Sequence, residues 1–90
     1  MQITWDARKA ATNLEKHKVS FDEASTVFAD SLSLTAIDPD HSVGEYRYIT
    51  FGKSNRDRLL VVAHTEEGDI IRIITARVAT RHEKRIYEEG

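Results

Sequence analysis

The sequence predicts an α+β domain with two N-terminal helices, an antiparallel sheet of about four strands and a C-terminal helix. Three observations support this fold class. In the first third of the chain, apolar residues recur at helical spacing behind helix-capping residues. The period then changes to the alternation that is typical of strands. A last capping sequence near residue 80 begins another helical segment.

Two helices are predicted before the sheet. The first extends from Trp5 to His17, with Asp6 near its N-terminus. Its expected buried side comprises Trp5, Ala10, Ala11 and Leu14. The second begins at Ser20 with a capping box, in which the Ser20 hydroxyl and the Glu23 carboxylate each accept a backbone N–H. Its apolar stripe, which ends at about Asp30, comprises Phe21, Ala24, Val27 and Phe28.

Four strands and a last helix are predicted after residue 31. The strands are Leu32 to Ile37, Glu45 to Phe51, Arg58 to His64 and Ile70 to Ala76. Turn-forming residues separate them at Asp38-Pro39-Asp40-His41, at 52–57 and at 66–69, where Gly68 supplies a positive φ. Because the fourth strand is continuous and β-branched, we expect it to be central. A second capping box, Thr80 to Glu83, begins a helix that extends to about Glu89.

The composition indicates one small domain that spans residues 1–90. The 90 residues are 40% hydrophobic and 31% charged and include no cysteine, so neither disulfides nor cysteine-based zinc sites are expected. No apolar run approaches the roughly 18 residues that a membrane span needs. The N-terminus also lacks the pattern of a signal peptide, so we expect a cytoplasmic protein without membrane association. A thin core favours an open groove or sheet face over an enclosed active site.

Charge is distributed unevenly along the chain. The net charge of −2 argues against a simple nucleic-acid binder. Residues 1–45 contain 4 Lys/Arg and 8 Asp/Glu, a balance of −4, whereas residues 46–90 contain 9 and 7, a balance of +2. Several arginines of the second half lie on predicted strands, and together on one sheet surface they would bind phosphates. The alternative is a solvated surface on which they pair with Glu66, Glu67 and Glu83.

Five segments in order along the chain form a combination that is specific, although each piece alone is weak. They are Trp5 to Lys9, Asn13 to His17, Val19 to Ala24, Arg58 to Thr65 and Arg72 to Arg81. With Tyr87, they make the chain closely resemble the BrnT family of bacterial toxins over essentially its whole length. One departure is Lys18, where the family usually has a glycine. Such a glycine would be a left-handed C-cap, so Lys18 must adopt that conformation at some cost or end the helix differently.

The resemblance implies a fold like that of the RelE ribonuclease toxins. It implies an antitoxin partner, BrnA, whose ribbon-helix-helix domain binds DNA, so that operator DNA is contacted only through the antitoxin. It also implies RNA cleavage without a metal or another cofactor. In that reaction the 2′-hydroxyl attacks the adjacent phosphate, and basic side chains stabilise the developing negative charge. The implied outcome is arrest of growth and translation.

The residues fit this mechanism in kind, because it needs proton transfer and cations near the phosphate. The catalytic candidates are His64, Arg72, Arg77, Arg81 and Tyr87. The candidates for binding RNA or phosphate are Lys16, His17, Arg47 and Arg58. For the arginines and the lysine the alternative role is an ordinary surface charge, and for the histidines a cap or a partly buried ring. No sequence feature distinguishes the general base from the acid.

Other ligands are less well supported. Asp38, Asp40 and His41 place two carboxylates and an imidazole in one loop, but turn formation explains them better and no calcium-loop spacing is present. No metal site is therefore expected. Trp5 is favoured as a core anchor over a base-stacking platform. For Tyr46 and Tyr48, base stacking and cross-strand packing are equally good explanations.

Two functions from different classes remain open. The first is a ribonuclease toxin that a partner holds in check. The second is a non-catalytic binding module of the same fold, which complexes an antitoxin and modulates autorepression of their shared promoter. Several arginines would then be antitoxin contacts. RNA cleavage by the chain, and its loss in Arg77→Ala or Arg81→Ala, distinguishes the two functions.

Overall fold

A five-stranded sheet organises the residues that the structure describes, 1–38 and 46–90. This computed structural model has the strands β1 (Gln2–Trp5), β2 (Leu34–Ile37), β3 (Arg47–Lys53), β4 (Leu59–Glu67) and β5 (Ile70–Val78). Its helices are α1 (Ala7–His17), α2 (Phe21–Ser25), which continues into a 3-10 turn at Thr26–Ala29, and α3 (Arg81–Glu89). The strand order is β1-β5-β4-β3-β2, in which β1 is parallel to β5 and the other pairs are antiparallel.

The N-terminal strand is the main departure from the predicted fold. Trp5 is expected to begin a helix, but Gln2–Trp5 pairs with β5 as a fifth strand, so the sheet is mixed. The helix begins after Asp6, whose carboxylate accepts hydrogen bonds from the backbone N–H groups of Arg8 (2.8 Å) and Lys9 (3.1 Å). A strand of four residues gives too few alternating positions for its period to be recognised.

The predicted buried side of α1 is partly wrong. Ala10 does pack against the core, but Ala11 is exposed and Leu14 is 50% exposed. The buried residue of this helix is Asn13. Its side-chain amide donates to the carbonyl oxygens of Val19 (2.9 Å) and Ala76 (2.8 Å), and its Oδ1 accepts the N–H of Ala76 (3.1 Å). Asn13 is buried because its hydrogen-bond partners surround it, and one of them is far away in the sequence. The spacing of apolar residues cannot reveal a buried polar residue of this kind.

Asn13 completes the edge of β5. The strand β1 pairs with β5 only as far as Ile73, so the backbone groups of Ala76 have no strand beside them on this edge. Buried backbone groups without partners are strongly unfavourable. The side-chain amide of Asn13 presents a donor and an acceptor in the same plane, as a peptide group does, and it satisfies both groups of Ala76. It therefore holds α1 along this part of β5, which is an internal strand as predicted.

Three of the predicted local signals for turns and caps are confirmed. Lys18 adopts the left-handed conformation (φ 59°) and its N–H donates to the carbonyl of Leu14 (3.0 Å). Gly68 has a positive φ of 58° in the β4–β5 turn. Thr80 and Glu83 form a complete capping box at α3. The predicted turn at 38–41 lies outside the described residues after its first position, and so does Glu45, the expected start of a strand.

The core lies between α1, α2 and one face of the sheet, which we call the helix face. Its buried members are Val19, Phe21, Ala24, Val27, Leu60, Val62, Ile73 and Ala76. Trp5 packs from β1 onto this cluster with its ring edge-to-face against Phe21, 6.1 Å between centroids. Gly52 lets β3 approach the 3-10 turn, because a Cβ there would lie 3.0 Å from the Cβ of Val27. The helix face is therefore closed by packing. On the opposite face α3 contacts the row of Arg77, where Val61 is buried, and the rest of that face is left for other contacts.

Asn13→Ala removes every partner that the side chain supplies at the β5 edge. Three buried backbone groups then lose a hydrogen bond, so we expect the free energy of unfolding to fall by about 3 kcal/mol. Urea denaturation measures the change. The matched control is Thr12→Ala, at the exposed neighbouring position of α1, which we expect to change stability by less than about 0.5 kcal/mol. Equal stability of the two variants would contradict the role of Asn13.

Candidate nucleic-acid-binding face

One row of side chains crosses the sheet on the face opposite the helix face. The strand register aligns Thr4 on β1, Arg72 on β5, Thr65 on β4 and Arg47 on β3. Arg72 lies between two buried isoleucines, so the alternation of a strand directs it away from the core. A single strand separates Arg47 from Arg72, so their backbones are about 10 Å apart. Two guanidinium groups thus flank a threonine.

A second row, of small and apolar residues, lies beside the first. It contains Thr75 on β5, Ala63 on β4, Ile49 on β3 and Ala36 on β2. A β-bulge makes the two rows share a face, because the register shifts between Ala63 and its neighbour and leaves Ile74 without an aligned partner. We call these two rows, together with Arg77 in the row that follows, the open face. Its low relief suits a chain lying across it.

Arg72 has the environment of a binding residue. Its side chain is exposed and has no ion pair with any described residue. Hydrogen bonds from the backbones of Lys9 and Arg8 lower the pKa of the Asp6 carboxyl, and the positive charges of Arg72 and Lys9 lower it further. Arg72 is therefore within electrostatic reach of the start of α1. Arg47, at the other end of the row, is half-buried.

Arg77 is already held by a carboxylate. Its two terminal nitrogens donate to the two oxygens of Glu83 at 2.7 Å each. Hydrogen bonding to Arg77, with further bonds from Thr80, lowers the pKa of Glu83 to about 2. The same carboxylate accepts the N–H of Thr80, so this fork ties α3 to β5. Arg81, in the first turn of α3, is exposed beside it.

Tyr87 fastens the other end of α3. Its hydroxyl donates to Oδ2 of Asp30 at 2.6 Å, and Asp30 also accepts the backbone N–H groups of Lys53 and Leu32. The hydrogen bond to Asp30 is the largest cause that raises the pKa of Tyr87 to about 12. The phenol therefore keeps its proton near neutral pH and positions the helix.

His64 lies on the helix face and is fully buried, so it is on the other side of the sheet from Arg72. Its Nε2 is 2.7 Å from the hydroxyl oxygen of Thr50, which in turn is 2.8 Å from that of Thr35. Tyr48 stacks on the ring, and Phe28 meets it edge-on. Burial lowers the pKa of His64 to about 4, so the ring is neutral at pH 7. Its position gives it a structural role.

Arg58 belongs to a buried ion pair. Its Nε donates to Oε2 of Glu23 at 2.9 Å, and the Glu23 side chain is only 3% exposed. Ser54 donates to the same oxygen at 2.7 Å. Glu23 was expected to cap α2 in return for the bond from Ser20, but it forms this cluster instead, so only half of that capping box is present. Arg58 thus links the β3–β4 turn to α2.

Lys16 and His17 line a groove between α1 and β5. The groove has a volume of about 310 Å³, and its lining residues are Arg8, Lys9, Thr12, Asn13, Lys16, His17, Ile74 and Thr75. Thr75 also belongs to the open face, so the two surfaces are continuous. Sequence reasoning missed Arg8 and Lys9 here, although Lys9 and Lys16 are seven residues apart and so share a helix side.

The structure thus separates the predicted site residues into three groups. Arg47, Arg72 and Arg77 share the open face, with Arg81 beside them. Lys16 and His17 lie in the adjoining groove. The third group, which is apart from both surfaces, comprises His64, Arg58 and Tyr87.

Metal and membrane sites find no support within residues 1–38 and 46–90. No three His, Asp or Glu side chains of these ranges are grouped so that they could hold a metal ion. Asp40 and His41, two members of the predicted alternative metal loop, lie outside the described residues. Among the helices described, none is both long and apolar enough to cross a membrane.

A family model decides the identity of the chain. The model for "Ribonuclease toxin, BrnT, of type II toxin-antitoxin system" matches residues 5–83. The chain belongs to the BrnT family. This is a family of ribonuclease toxins from type II toxin–antitoxin systems, so an antitoxin partner is implied. No curated protein matches the sequence.

A solved BrnT structure has the same fold. The ribonuclease toxin BrnT of Brucella abortus is 23% identical, with a TM-score of 0.65, over 90% of this chain and 99% of that one. At this identity the likeness establishes the fold alone. The predicted α+β class and the BrnT resemblance are therefore confirmed, with five described strands in place of about four.

The buried His64 makes the stability of this BrnT-family chain depend on pH. The unfolded ring has a pKa near 6.5 and the folded ring one of about 4, so protons bind the unfolded state more readily between these values. The neutral His64 ring therefore contributes fully to the free energy of unfolding above pH 6.5. This contribution, about 3 kcal/mol in total, is lost as the pH falls towards 4. We expect His64→Gln, which cannot titrate, to lose less stability between pH 7 and pH 4.5 in urea denaturation. If the stability of wild type and of His64→Gln changes equally with pH, His64 is not the cause of the pH dependence.

Arg58→Met tests whether that residue supports the fold or binds RNA. It leaves the buried Glu23 carboxylate without its main partner, so we expect a loss of about 3 kcal/mol in the free energy of unfolding. A second change, Glu23→Gln, should recover part of the loss, because no buried charge then remains. Arg81→Met, at an exposed arginine, is the matched control. If Arg58→Met is as stable as this control but binds RNA less tightly, Arg58 is a phosphate contact.

Proposed function

We propose that this chain is a metal-independent endoribonuclease that cleaves RNA on its open face. The observation that carries the proposal is the row of Arg72, Thr65 and Arg47, in which two cations flank a shallow floor. Membership of a ribonuclease toxin family supports the substrate class. An open sheet surface also suits a polymeric substrate better than a small metabolite.

In the proposed reaction the ribose 2′-hydroxyl oxygen bonds to the adjacent phosphorus while the bond from phosphorus to the 5′-oxygen breaks. The 2′-hydroxyl loses its proton and the leaving oxygen gains one, so the products are a 2′,3′-cyclic phosphate and a 5′-hydroxyl. Extra negative charge develops on the phosphate oxygens on the way. A guanidinium fork matches two such oxygens, and Arg72 is exposed without an ion pair among the described residues. Arg72 is therefore the proposed contact to the reacting phosphate.

The remaining open-face cations have supporting roles in this proposal. Arg47, about 10 Å from Arg72, contacts a neighbouring phosphate. Arg81 extends the cationic surface from the first turn of α3. Arg77 is committed to Glu83, so it positions α3 beside the substrate. Tyr87 fixes the same helix through Asp30, and the buried His64 supports the sheet from behind.

The proposed partner is a BrnA-like antitoxin with a ribbon-helix-helix domain, through which the complex reaches operator DNA. The open face is exposed in this chain, and a ribonuclease with an accessible site would damage RNA in its own cell. A partner that covers Arg72 and Arg47 would neutralise it. The proposed compartment is the cytoplasm, where the RNA substrate lies.

Arg72→Ala tests the proposed site. We expect it to slow cleavage of a single-stranded RNA by the purified chain about 100-fold, because a cation at the developing charge is lost. Gel analysis of the products measures the rate, in buffer with EDTA because no metal takes part. The matched control is Arg56→Ala in the β3–β4 turn, which removes the same charge from a side chain that is 72% exposed. Urea denaturation should give Arg72→Ala wild-type stability and Arg56→Ala a loss below about 1 kcal/mol, since the exposed Arg56 lies 3.7 Å from Glu23.

Three results would contradict the proposal or part of it. Cleavage within threefold of wild type in Arg72→Ala would remove the open face as the site. No RNA cleavage by soluble wild-type protein that still binds its antitoxin would favour the non-catalytic binding module. If EDTA abolishes cleavage and a divalent cation restores it, the reaction depends on a metal and the metal-independent mechanism is wrong.

A further inference from the structure

The groove between α1 and β5 has the form of a channel that opens onto the open face. One wall is formed by α1, from which Lys9, Thr12 and Lys16 recur along one side. The other wall is formed by Ile74 and Thr75 of β5. Its volume of about 310 Å³ is too large for a single water and is open enough to admit an extended chain. Thr75 lies both in this groove and in the second row of the open face.

The groove concentrates positive charge in an otherwise acidic part of the chain. Residues 1–45 have a net charge of −4, yet all 4 of their Lys/Arg lie between Arg8 and Lys18. Three of these line the groove together with His17. None of the four lining residues has an ion pair with a described residue. The charge of Lys9 acts on the Asp6 carboxylate, but the lining as a whole is cationic. A cationic groove raises the local concentration of an anionic ligand.

The spacing of the cations points to a chain of phosphates. Lys9 and Lys16 are seven residues apart on α1, which places them about 10 Å apart along the helix axis. This spacing lets the two ammonium groups contact successive phosphates of one strand. The floor contributes a methyl-rich side chain at Ile74 and a hydroxyl at Thr75, so it offers few groups that could distinguish bases.

The start of α1 connects the groove to the arginine row. The charges of Lys9 and Arg72 both act on the carboxylate of Asp6, so the three side chains are neighbours. A strand whose phosphate is held by Arg72 therefore meets the cations of α1 as it leaves the open face. This continuity favours the RNA substrate as the occupant over an acidic segment of a protein.

We infer that the groove between α1 and β5 binds the sugar–phosphate backbone of the RNA strand beyond the cleaved bond, with Lys9 and Lys16 as its phosphate contacts. The inference rests on the proposed function, because it extends the path of the same substrate. It makes affinity depend on RNA length: a short RNA covers only the open face, and a longer one also fills the groove.

Binding of two RNA probes tests this path. The probes are single-stranded RNAs of about 4 and about 12 nucleotides with 2′-O-methyl riboses, which prevent attack by the 2′-hydroxyl. Fluorescence anisotropy gives their affinities for wild type, for Lys9→Ala/Lys16→Ala and for Lys53→Ala/Arg56→Ala. The last variant is the control, because it removes the same charge at the end of β3 and in the β3–β4 turn, away from the groove.

We expect Lys9→Ala/Lys16→Ala to bind the long probe at least about tenfold more weakly than the control does, with little difference for the short probe. Two lost phosphate contacts should also reduce the slope of log affinity against log salt by about 1.4 for the long probe. The same affinities and slope in both double variants would overturn the inference. Weaker binding to the antitoxin without any change for RNA would overturn it as well, and would assign the groove to a protein partner.

Cleavage is measured separately, with unmodified RNA. If wild type binds the long probe through the groove but cleaves no RNA, the groove assignment stands and the proposed ribonuclease activity fails. If wild type cleaves RNA while Lys9→Ala/Lys16→Ala matches the control in both assays, the activity stands and the groove assignment fails.

Discussion

The half-covered edge of β5 is the constraint on which much of this small domain depends. The strand β1 pairs with β5 only as far as Ile73, and the side chain of Asn13 replaces the missing strand at Ala76. Because one side chain satisfies both backbone groups of Ala76, it fixes the position of α1 along this edge. That position creates the groove and brings Lys9 near Arg72. One buried amide thus sets both the packing and the charge pattern.

The arginines of this fold differ in whether a carboxylate binds them. Arg58 and Arg77 are held by Glu23 and Glu83, so they join helices to strands. Arg72, which shares the open face with Arg77, has no such partner among the described residues. A guanidinium that is bound by a carboxylate contributes mainly to the fold, whereas an exposed one remains able to bind phosphate. Equal residue types in one sequence therefore differ in function because of their neighbours.

Most local signals in the sequence were informative, although the capping box at Ser20 is only half present. The capping box at Thr80, the turn at Gly68 and the left-handed Lys18 each depend on a few adjacent residues, and each is present. The arginine row was partly predictable, because Arg47 and Arg72 lie on recognisable strands. Long-range partners were not predictable: the burial of Asn13 depends on Ala76, and Glu23 left its expected cap for Arg58. The parallel strand β1 was missed for the same reason, since only its neighbour β5 makes it a strand.

Three groups of this fold have strongly perturbed pKa values, and the fold explains each of them. Glu83 is lowered to about 2, His64 to about 4, and Tyr87 is raised to about 12, so each of these groups moves away from neutrality. Efficient general acids and bases have pKa values near the working pH. These three shifts therefore belong to the fold: an ion pair, a buried ring and a tethered phenol. In the proposed function, stabilisation of phosphate charge by guanidinium groups therefore has the leading role. Under that proposal the position of Arg72 on β5 matters more than any single titration, because the placement of fixed cations depends on strand geometry.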